Sequence, residues 1–451
     1  MLAWSTYLGG TGTDNPQAIA VDKSGAVYVA GFTTSTNFPL RNQYQGDQPN
    51  WDGFVTKLLE PKDGGNVTLE WSTYIGGGNE DRLYNLALDA DGGVVVMGTS
   101  FSNNFPSVKQ YQVYQGDWDV VVTKLRQPEG GGTVKVDWST YLGGKQREDA
   151  QALAVDSSGA VYVGGTTTSS DFPVKNSLAT FRSEEAFVTK LLPPGDGNLT
   201  LGWSTIISGR STDVARALAL DACGNVYVAG RTFSSDFPVK NALQGTIAGG
   251  QDAFVMKLSQ EGAPAIAWST FLGGRNGDQS AAISSESTPE AFLTKLAQPE
   301  DGKPDVSIEW STFWGGARRD LPFALAVDEK GRVYAGGVTE STDLKLQNAY
   351  QEARESVNGW LMSLADPVVE VTIDSEPGSL PFTVSTRACV SVSGQASAKY
   401  TWLVGKPYTI TFGATQTIEE APWVFDMWDD TGATEAARVG AGSAMMVRSQ
   451  P

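Results

Sequence analysis

A seven-residue motif recurs six times in this chain and constrains the fold more than any other feature. It reads WSTYLGG at Trp4 and returns with small changes at Trp71, Trp138, Trp203, Trp268 and Trp310. The spacings between these tryptophans are 67, 67, 65, 65 and 42 residues. A regular period of this length is typical of a repeat architecture, in which each unit buries its apolar surface against the next.

Within each period the same four apolar runs recur in the same order. In the first period they are QAIAVD, AVYVAGFT, DGFVTKLL and LEWSTYIGG. Each run is short, rich in Val, Ala, Tyr or Thr and roughly alternating, which predicts a strand. The linker VDKSG supplies an Asp and a Gly for a tight hairpin, and the pair Phe38–Pro39 ends the second strand. Four antiparallel strands per period predict one blade of a β-propeller.

The motif is expected to form the outermost strand of each blade. The last blade ends in GWLMSLAD at 359–366 and has no copy of its own, so the copy at Trp4 is predicted to pair there and close the ring. A fragmentary chain is the competing interpretation. Six copies predict six blades, and the fifth is truncated to three strands or fewer, because only QSAAISSESTPEA separates Asp278 from Phe292.

The motifs together carry a family resemblance. The patterns W-S-T-[YF]-[LI]-G-G, A-[LI]-A-V-D-x-x-G-x-V-Y-V-x-G-x-T, [ST]-[ND]-F-P and F-V-T-K-L resemble the bacterial SBBP repeat, which is named for seven-bladed β-propellers. The resemblance covers residues 1–366. It implies a secreted or surface-exposed bacterial protein, usually with no assigned enzyme activity. Six copies depart from the seven of the name, and no signal peptide opens the given sequence.

The sequence pattern changes at residue 367. The segments VVEVTIDSEPGSLPFTVS and KYTWLVGKPYTITFG read as strands between Gly, Pro and Ser turns, with no repeat period. Residues 367–451 therefore predict a small β-sandwich, and they resemble the Ig-like modules of bacterial surface proteins.

Composition narrows the classes of partner and chemistry. A formal charge of −18 disfavours nucleic acid and anionic membrane surfaces, and no apolar run is long enough to span a membrane. The chain contains no histidine, which removes the usual general base and the commonest metal ligand. Cys223 and Cys389 fall in different predicted domains, so we expect no disulfide between them. No cofactor is predicted, with calcium as the one ion left open.

An acidic residue lies ten or eleven positions after the tryptophan that opens each motif. These residues are Asp14, Asp81, Asp149, Asp213, Asp278 and Asp320. One interpretation is a calcium-binding rim, since carboxylate oxygens are hard ligands. The favoured alternative is that each Asp accepts backbone N–H groups and fixes its own corner, because binding sites usually break the symmetry of a repeat. By the same argument the motif tryptophans are expected to pack between blades. The Lys of V-T-K-L alternates outward from an apolar strand and is expected to be a solvated edge charge.

The loops between the second and third strands break the symmetry. The first two loops carry Tyr44, Trp51, Tyr111, Tyr114 and Trp118 among Gln, Asn and Asp. Rigid aromatic rings beside amides and carboxylates suit a sugar or peptide surface, but the rings could equally pack under their own loops.

No catalytic motif is present, and three functions stay open. The first is a non-catalytic extracellular or cell-surface adhesion scaffold that presents propeller loops to an unknown glycan or protein. The second is a carbohydrate-active hydrolase or lyase with an acidic pair in the propeller funnel. The third is a calcium-stabilised structural protein of a surface layer or matrix.

Overall fold

Every regular element described in the computed structural model is a β-strand. The structure describes residues 5–61, 65–127, 130–221, 223–259 and 263–274, and beyond these Val306 and the later strands given below. Residues 14–272 form four antiparallel sheets of four strands each, in chain order within each sheet. These strands are β1 (Asp14–Val21), β2 (Val27–Thr33), β3 (Asp52–Leu59), β4 (Thr68–Ile75), β5 (Asp81–Leu88), β6 (Val94–Ser100), β7 (Asp119–Arg126), β8 (Lys135–Leu142), β9 (Glu148–Val155), β10 (Val161–Thr167), β11 (Glu185–Leu192), β12 (Thr200–Ile207), β13 (Asp213–Leu220), β14 (Val226–Thr232), β15 (Asp252–Ser259) and β16 (Ala265–Leu272).

The later strands form smaller sheets. Two strands pair as β17–β18, three as β19–β20–β21, two as β22–β25 and two as β27–β28, and a five-stranded sheet has the order β24-β23-β26-β30-β29. Their bounds are β17 (Ala291–Ala297), β18 (Ser307–Trp314), β19 (Asp320–Val327), β20 (Val333–Thr339), β21 (Asn358–Leu364), β22 (Val368–Ile373), β23 (Pro381–Thr386), β24 (Ser391–Gln395), β25 (Ala398–Leu403), β26 (Pro407–Phe412), β27 (Thr415–Ile418), β28 (Ala421–Val424), β29 (Ala436–Ala437) and β30 (Met445–Arg448).

The all-β architecture of repeated four-stranded sheets agrees with a propeller-like fold. The first strands of successive sheets contact one another, β1 with β5, β5 with β9 and β9 with β13. Residues 5–10 contain no strand. The closing strand, the number of blades, the boundary at residue 367 and the C-terminal sandwich stay predictions.

The chain groups into two compact units. One contains Met1–Leu220, Gly224–Ser285 and Thr294–Ser311, and the other contains Asp221–Cys223, Glu286–Leu293 and Thr312–Pro451. Among the described residues no helix is long and apolar enough to cross a membrane.

The expectation that the two cysteines stay apart was wrong, because Cys223 is disulfide-bonded. Cys389, the only other cysteine of the sequence, lies outside the described residues.

The hairpins form as their sequences predict. Asp22 Oδ1 accepts hydrogen bonds from the backbone N–H groups of Ser24 at 2.8 Å and Ala26 at 3.1 Å, and Oδ2 accepts one from the Tyr28 hydroxyl. Gly25 has φ +87°, a backbone conformation that a residue with a Cβ rarely adopts. Each such hairpin joins the first two strands of a sheet and sets their register.

The first strand of each four-stranded sheet contains a one-residue β-bulge. In β5, Leu83 lies opposite Gly98 and Asn85 lies opposite Met97, so Tyr84 has no partner in β6. The equivalent unpaired residues in β1, β9 and β13 are Gln17, Gln151 and Arg216. The bulge therefore recurs with the repeat, whereas the residue at it changes.

Apolar side chains bind each sheet to the sheets before and after it. In β6, Val94 and Val96 belong to a buried cluster shared with the first sheet, while Val95 and Met97 belong to one shared with the third. A strand that is buried on both faces needs apolar side chains at consecutive positions, which explains the run VVVM at the start of β6. The tryptophans Trp71, Trp138, Trp203 and Trp268 are 1–4% exposed, and the first three lie in these clusters, which confirms their packing role.

The lysine of V-T-K-L is not the solvated edge charge expected from strand alternation. Lys124 Nζ lies 2.5 Å from Asp89 Oδ2, and its side chain is only 12% exposed. Lys190 Nζ lies 4.8 Å from the centre of the Tyr162 ring and 3.7 Å from Asp156. The ammonium group is therefore stabilised by an ion pair with the hairpin aspartate and, in the third sheet, by the ring of the second-strand tyrosine.

A tyrosine hydroxyl joins the motif strand to the Phe-Pro corner in the first two sheets. The Tyr141 hydroxyl accepts a hydrogen bond from the Phe105 N–H at 2.8 Å and donates one to Ser102 O at 2.5 Å. The third sheet has Ile206 at the position of Tyr141, and there the Phe172 N–H bonds directly to Ser169 O at 3.2 Å. The backbone N–H of the corner phenylalanine thus donates either to a tyrosine hydroxyl of the motif strand or directly to a serine carbonyl oxygen.

We expect Tyr141→Phe to lower the free energy of unfolding by about 1 kcal/mol, because the Phe105 N–H loses its acceptor and can recover only the longer direct bond. Denaturation in urea measures the difference. Tyr44→Phe, which changes a 39% exposed ring, is the matched control and should leave stability unchanged. Equal stability of Y141F and the unmodified protein would contradict a role for this hydroxyl.

Candidate functional site

A carboxylate opens the first strand of each four-stranded sheet, directly after the corner that follows the motif. In the second sheet this residue is Asp81, which lies opposite Ser100. The residues at the same register in the other sheets, including β19, are Asp14, Glu148, Asp213 and Asp320. Asp278, the predicted member of the fifth repeat, lies outside the described residues.

The prediction of Asp149 as the third member of this set was wrong. Glu148 lies opposite Thr167, the register position of the set, and Asp149 is the next residue along the strand. A one-residue shift moves a side chain to the other face of a strand. Asp149 instead pairs with Arg147 at 3.0 Å and is 38% exposed.

The described carboxylates of the set fix their own corners. Asp81 Oδ2 accepts hydrogen bonds from the Gly77 N–H at 2.6 Å and the Ser102 hydroxyl at 2.8 Å, and Oδ1 accepts one from Ser100. Glu148 accepts equivalent bonds from the Gly144 N–H at 2.9 Å and the Thr167 hydroxyl. These contacts favour the structural interpretation over a calcium-binding rim, which stays a prediction.

Within the described part of the chain, no group of three or more acidic or cysteine side chains is placed to hold a metal ion.

A second buried carboxylate opens the third strand of each sheet and was missed from the sequence. Asp52 is 1% exposed; its Oδ2 accepts a hydrogen bond from the Gln48 N–H at 2.7 Å, and its Oδ1 has no hydrogen-bond partner. The residues at the same position, each with one oxygen that lacks a partner, are Asp119, Glu185 and Asp252. The sequence contained a signal for this position, because an acidic residue recurs two positions before the F-V-T-K-L run or its counterpart in each four-stranded sheet.

The two kinds of carboxylate meet where consecutive sheets join. The Asp81 N–H donates to Trp51 O at 2.8 Å, which brings the start of β5 beside the start of β3. A Cβ added at Gly76 would overlap Asp52 Oδ1 and crowd Asp81 Oδ2, so both oxygens converge on this glycine. In the next junction Gly143 has the same relation to Asp119 and Glu148. Each of these two junctions therefore holds a buried carboxyl pair.

Burial raises the pKa values of these groups. The pKa of Asp52 rises to about 8, mainly through burial, with the Gln48 N–H opposing the rise and the charge of Asp81 adding to it. The same causes raise the pKa of Asp119 to about 7, with Glu148 as its charged neighbour. Neighbouring carboxylates oppose each other's ionisation, so the Asp52–Asp81 pair keeps a proton at neutral pH and the Asp119–Glu148 pair loses one near that pH.

An arginine surrounded by aromatic rings lies at the first junction. The Arg82 guanidinium carbon is 5.5 Å from the ring centre of Trp51 and 5.6 Å from those of Trp118 and Phe32. Its Nη2 pairs with Glu80 at 2.7 Å, and its side chain is 34% exposed. We call Phe32, Trp51, Arg82 and Trp118 the Arg82 cluster. It brings together two of the five predicted ligand-binding aromatics.

The other three predicted aromatics do not join the Arg82 cluster. Tyr111 and Tyr114 pack against the buried clusters between sheets, and the Tyr114 hydroxyl donates to Asp117 O at 2.7 Å within its own loop. Tyr44 is 39% exposed at the surface of the first loop. The loop aromatics therefore divide between the packing and surface interpretations.

A separate groove lies beside the third sheet. It has a volume of about 650 Å³ and is lined by residues that include Phe172, Leu178, Phe181 and Arg182. None of the predicted site residues lines it.

Comparisons with known proteins support the repeat and leave the activity open. Residues 3–39, 137–173 and 202–238 match the family model described as SBBP, beta-propeller repeat. No curated protein matches the chain.

Solved structures show only remote similarity. A protein of unknown function from Dyadobacter fermentans is 12% identical, with a TM-score of 0.36, covering 78% of this chain and 96% of its own. A putative gluconolactonase is 14% identical, with a TM-score of 0.26 and coverages of 60% and 82%. An exo-beta-1,3-galactanase from Phanerochaete chrysosporium is 12% identical, with a TM-score of 0.18 and coverages of 93% and 98%. At such scores these similarities carry no argument about function.

We expect the protein to lose stability as the pH rises from about 4 toward 8. Asp52 and Asp119 have folded-state pKa values above the ordinary value of 3.8, so the folded chain holds protons that the unfolded chain releases. That stabilisation is present at acid pH and is lost as the pH passes the folded pKa of each group. The slope is about 1.4 kcal/mol per pH unit for each proton held.

Asp52→Asn isolates one of these protons, because the amide imitates the protonated acid. We expect D52N to match the unmodified protein near pH 5 and to exceed its stability near pH 8.5, measured by urea denaturation at each pH. Asp91→Asn, at a 75% exposed side chain, makes the same Asp-to-Asn substitution at the surface and is the control. Parallel pH profiles for D52N and the unmodified protein would contradict the shared proton.

Proposed function

We propose that this chain is a non-catalytic glycan-binding protein of the cell surface, and that the Arg82 cluster is its ligand-binding surface. The observation that carries the proposal is the partly exposed guanidinium of Arg82 surrounded by Phe32, Trp51 and Trp118.

The chemistry of the cluster suits a sugar. Aromatic faces pack against the C–H groups of a sugar ring, while the guanidinium and the carboxylate of Glu80 offer hydrogen bonds to its hydroxyls. The cluster also breaks the repeat: the position of Arg82 is Asn15 in the first sheet and Val214 in the fourth. A feature that the fold does not repeat is a better candidate for recognition than one present in every sheet.

The alternative of a glycoside hydrolase or lyase gains no support from the acidic pairs. Asp52, Asp81, Asp119 and Glu148 are 0–1% exposed, and most of their oxygens already accept hydrogen bonds. A catalytic carboxyl pair has to reach both sides of a glycosidic bond. No specific observation favours the calcium-stabilised structural protein either.

The disulfide of Cys223 supports a location outside the cytoplasm. Disulfides form and persist in oxidising compartments and are rare where thiols are kept reduced.

We expect the full chain to bind a subset of neutral glycans on an array, and we expect Arg82→Gln and Trp118→Ala each to weaken that binding about tenfold or more. Surface plasmon resonance with the best array glycan measures the change, and melting temperatures confirm that the variants fold.

Tyr44→Ala is the matched control, since Tyr44 is an exposed aromatic outside the cluster. Binding that survives R82Q and W118A but disappears in Y44A would move the site to the first loop. Absence of glycan binding, with capture of a protein partner that depends on Arg82, would replace the glycan by a protein ligand.

A further inference from the structure

The fourth sheet carries two neighbouring arginines that the Arg82 cluster does not include. Arg216 is the unpaired bulge residue of β13, between Ala215 and Ala217. Arg231 lies in the adjacent strand β14, opposite Val214. Both side chains are partly exposed. The bulge in an edge strand turns its residue out of the normal alternation, which is a common device for presenting a side chain at a site.

Within the part of the chain that the structure describes, neither arginine has an acidic partner. No ion pair in the described part of the chain includes Arg216 or Arg231. Five arginines there do lie within 4.0 Å of a carboxylate: Arg82, Arg126, Arg147, Arg182 and Arg210. The Nε atoms of both are buried and make no hydrogen bond. The chain has a formal charge of −18 and 51 acidic residues, so carboxylates are abundant, yet neither of these two adjacent arginines pairs with one among the described residues.

The arrangement costs stability and is not needed by the fold. Burial, and then the positive charge of Arg231, lower the pKa of Arg216. The other sheets have uncharged residues at both positions, Gln17, Tyr84 and Gln151 at the bulge and Phe32, Thr99 and Thr166 in the second strand. The backbone therefore forms the same bulge without arginine.

We propose that Arg216 and Arg231 form a binding site for an acidic sugar, whose carboxylate or sulfate ester lies between the two guanidinium groups. Guanidinium forks bind planar and tetrahedral oxyanions through paired charged hydrogen bonds. Phe233 lies beside the site: its ring is 40% exposed, with its centre 5.9 Å from the Arg231 guanidinium carbon. It supplies the apolar face against which a sugar ring packs.

The overall charge limits the kind of acidic sugar. A protein with a net charge of −18 repels a densely charged anionic polymer. A single acidic sugar unit within an otherwise neutral glycan experiences mainly the local positive charge of the two arginines. The ligand class is therefore a glycan with isolated acidic groups. This site is separate from the Arg82 cluster and does not depend on its function.

The test uses the full chain and matched pairs of probes in isothermal titration calorimetry. A methyl glucuronoside is compared with its methyl ester, which has the same ring without the charge, and glucose sulfate is compared with glucose. We expect one of the charged probes to bind at least about tenfold more tightly than its neutral counterpart, and the preferred probe identifies the oxyanion as carboxylate or sulfate. Equal binding of both members in both pairs overturns the proposal.

Variants assign the preference to the arginines. Arg216→Gln and Arg231→Gln should each remove most of the preference for the charged probe. Arg210→Gln is the matched control, because Arg210 is an 82% exposed arginine after the corner before β13 that already pairs with Asp236. R82Q should keep the preference, so failure of this site and failure of the Arg82 cluster are distinguishable. An equal loss in R210Q would show a general charge effect and overturn the assignment.

Thermal stability separates binding from a structural role. Removing one of two like charges should leave the melting temperature of R216Q and R231Q unchanged or higher. A fall of several degrees in both variants would assign the pair to the fold and overturn the proposal.

Discussion

The structure depends on one packing constraint: a sheet with two apolar faces has to be covered on both. The side chains of β6 alternate between the cluster shared with the preceding sheet and the cluster shared with the following one. The motif tryptophans Trp71 and Trp138 lie in the same two clusters, nearly without exposure. The hydrophobic core therefore lies between neighbouring sheets. This arrangement explains why the apolar strands, the motif tryptophan and the spacing between repeats recur together in the sequence.

The junctions between sheets add a polar constraint to this apolar one. Corner N–H groups need acceptors, and Asp81 and Glu148 supply them; the third strand places Asp52 and Asp119 beside them. Two acidic groups enclosed together keep a proton, so the same contact that orders the corner makes it sensitive to pH. Features present in every sheet thus belong to the fold, and our two proposals place recognition on residues that differ between sheets, such as Arg82 and Arg216.

Local patterns were enough to predict the strands, the hairpins and the burial of the tryptophans. Each of these follows from neighbours in sequence, as with Asp22 and Gly25 in one turn. The errors came where distant segments meet. The register with Thr167, which selects Glu148 over Asp149, depends on the partner strand, and the Arg82 cluster joins a strand to the ends of two loops. The acidic residues equivalent to Asp52 recur visibly in the sequence, but the raised pKa of Asp52 depends on burial and on Asp81, which only the structure brings close.

The bulge in each first strand has a consequence for how such a protein changes over time. Because Gln17, Tyr84, Gln151 and Arg216 have no cross-strand partner, their identity is free of the pairing rules that restrict the rest of the ladder. Natural variation can exchange one amino acid per repeat there without disturbing the scaffold. A repetitive chain of this kind can acquire a new specificity through single substitutions at these points, while its copies remain alike everywhere else.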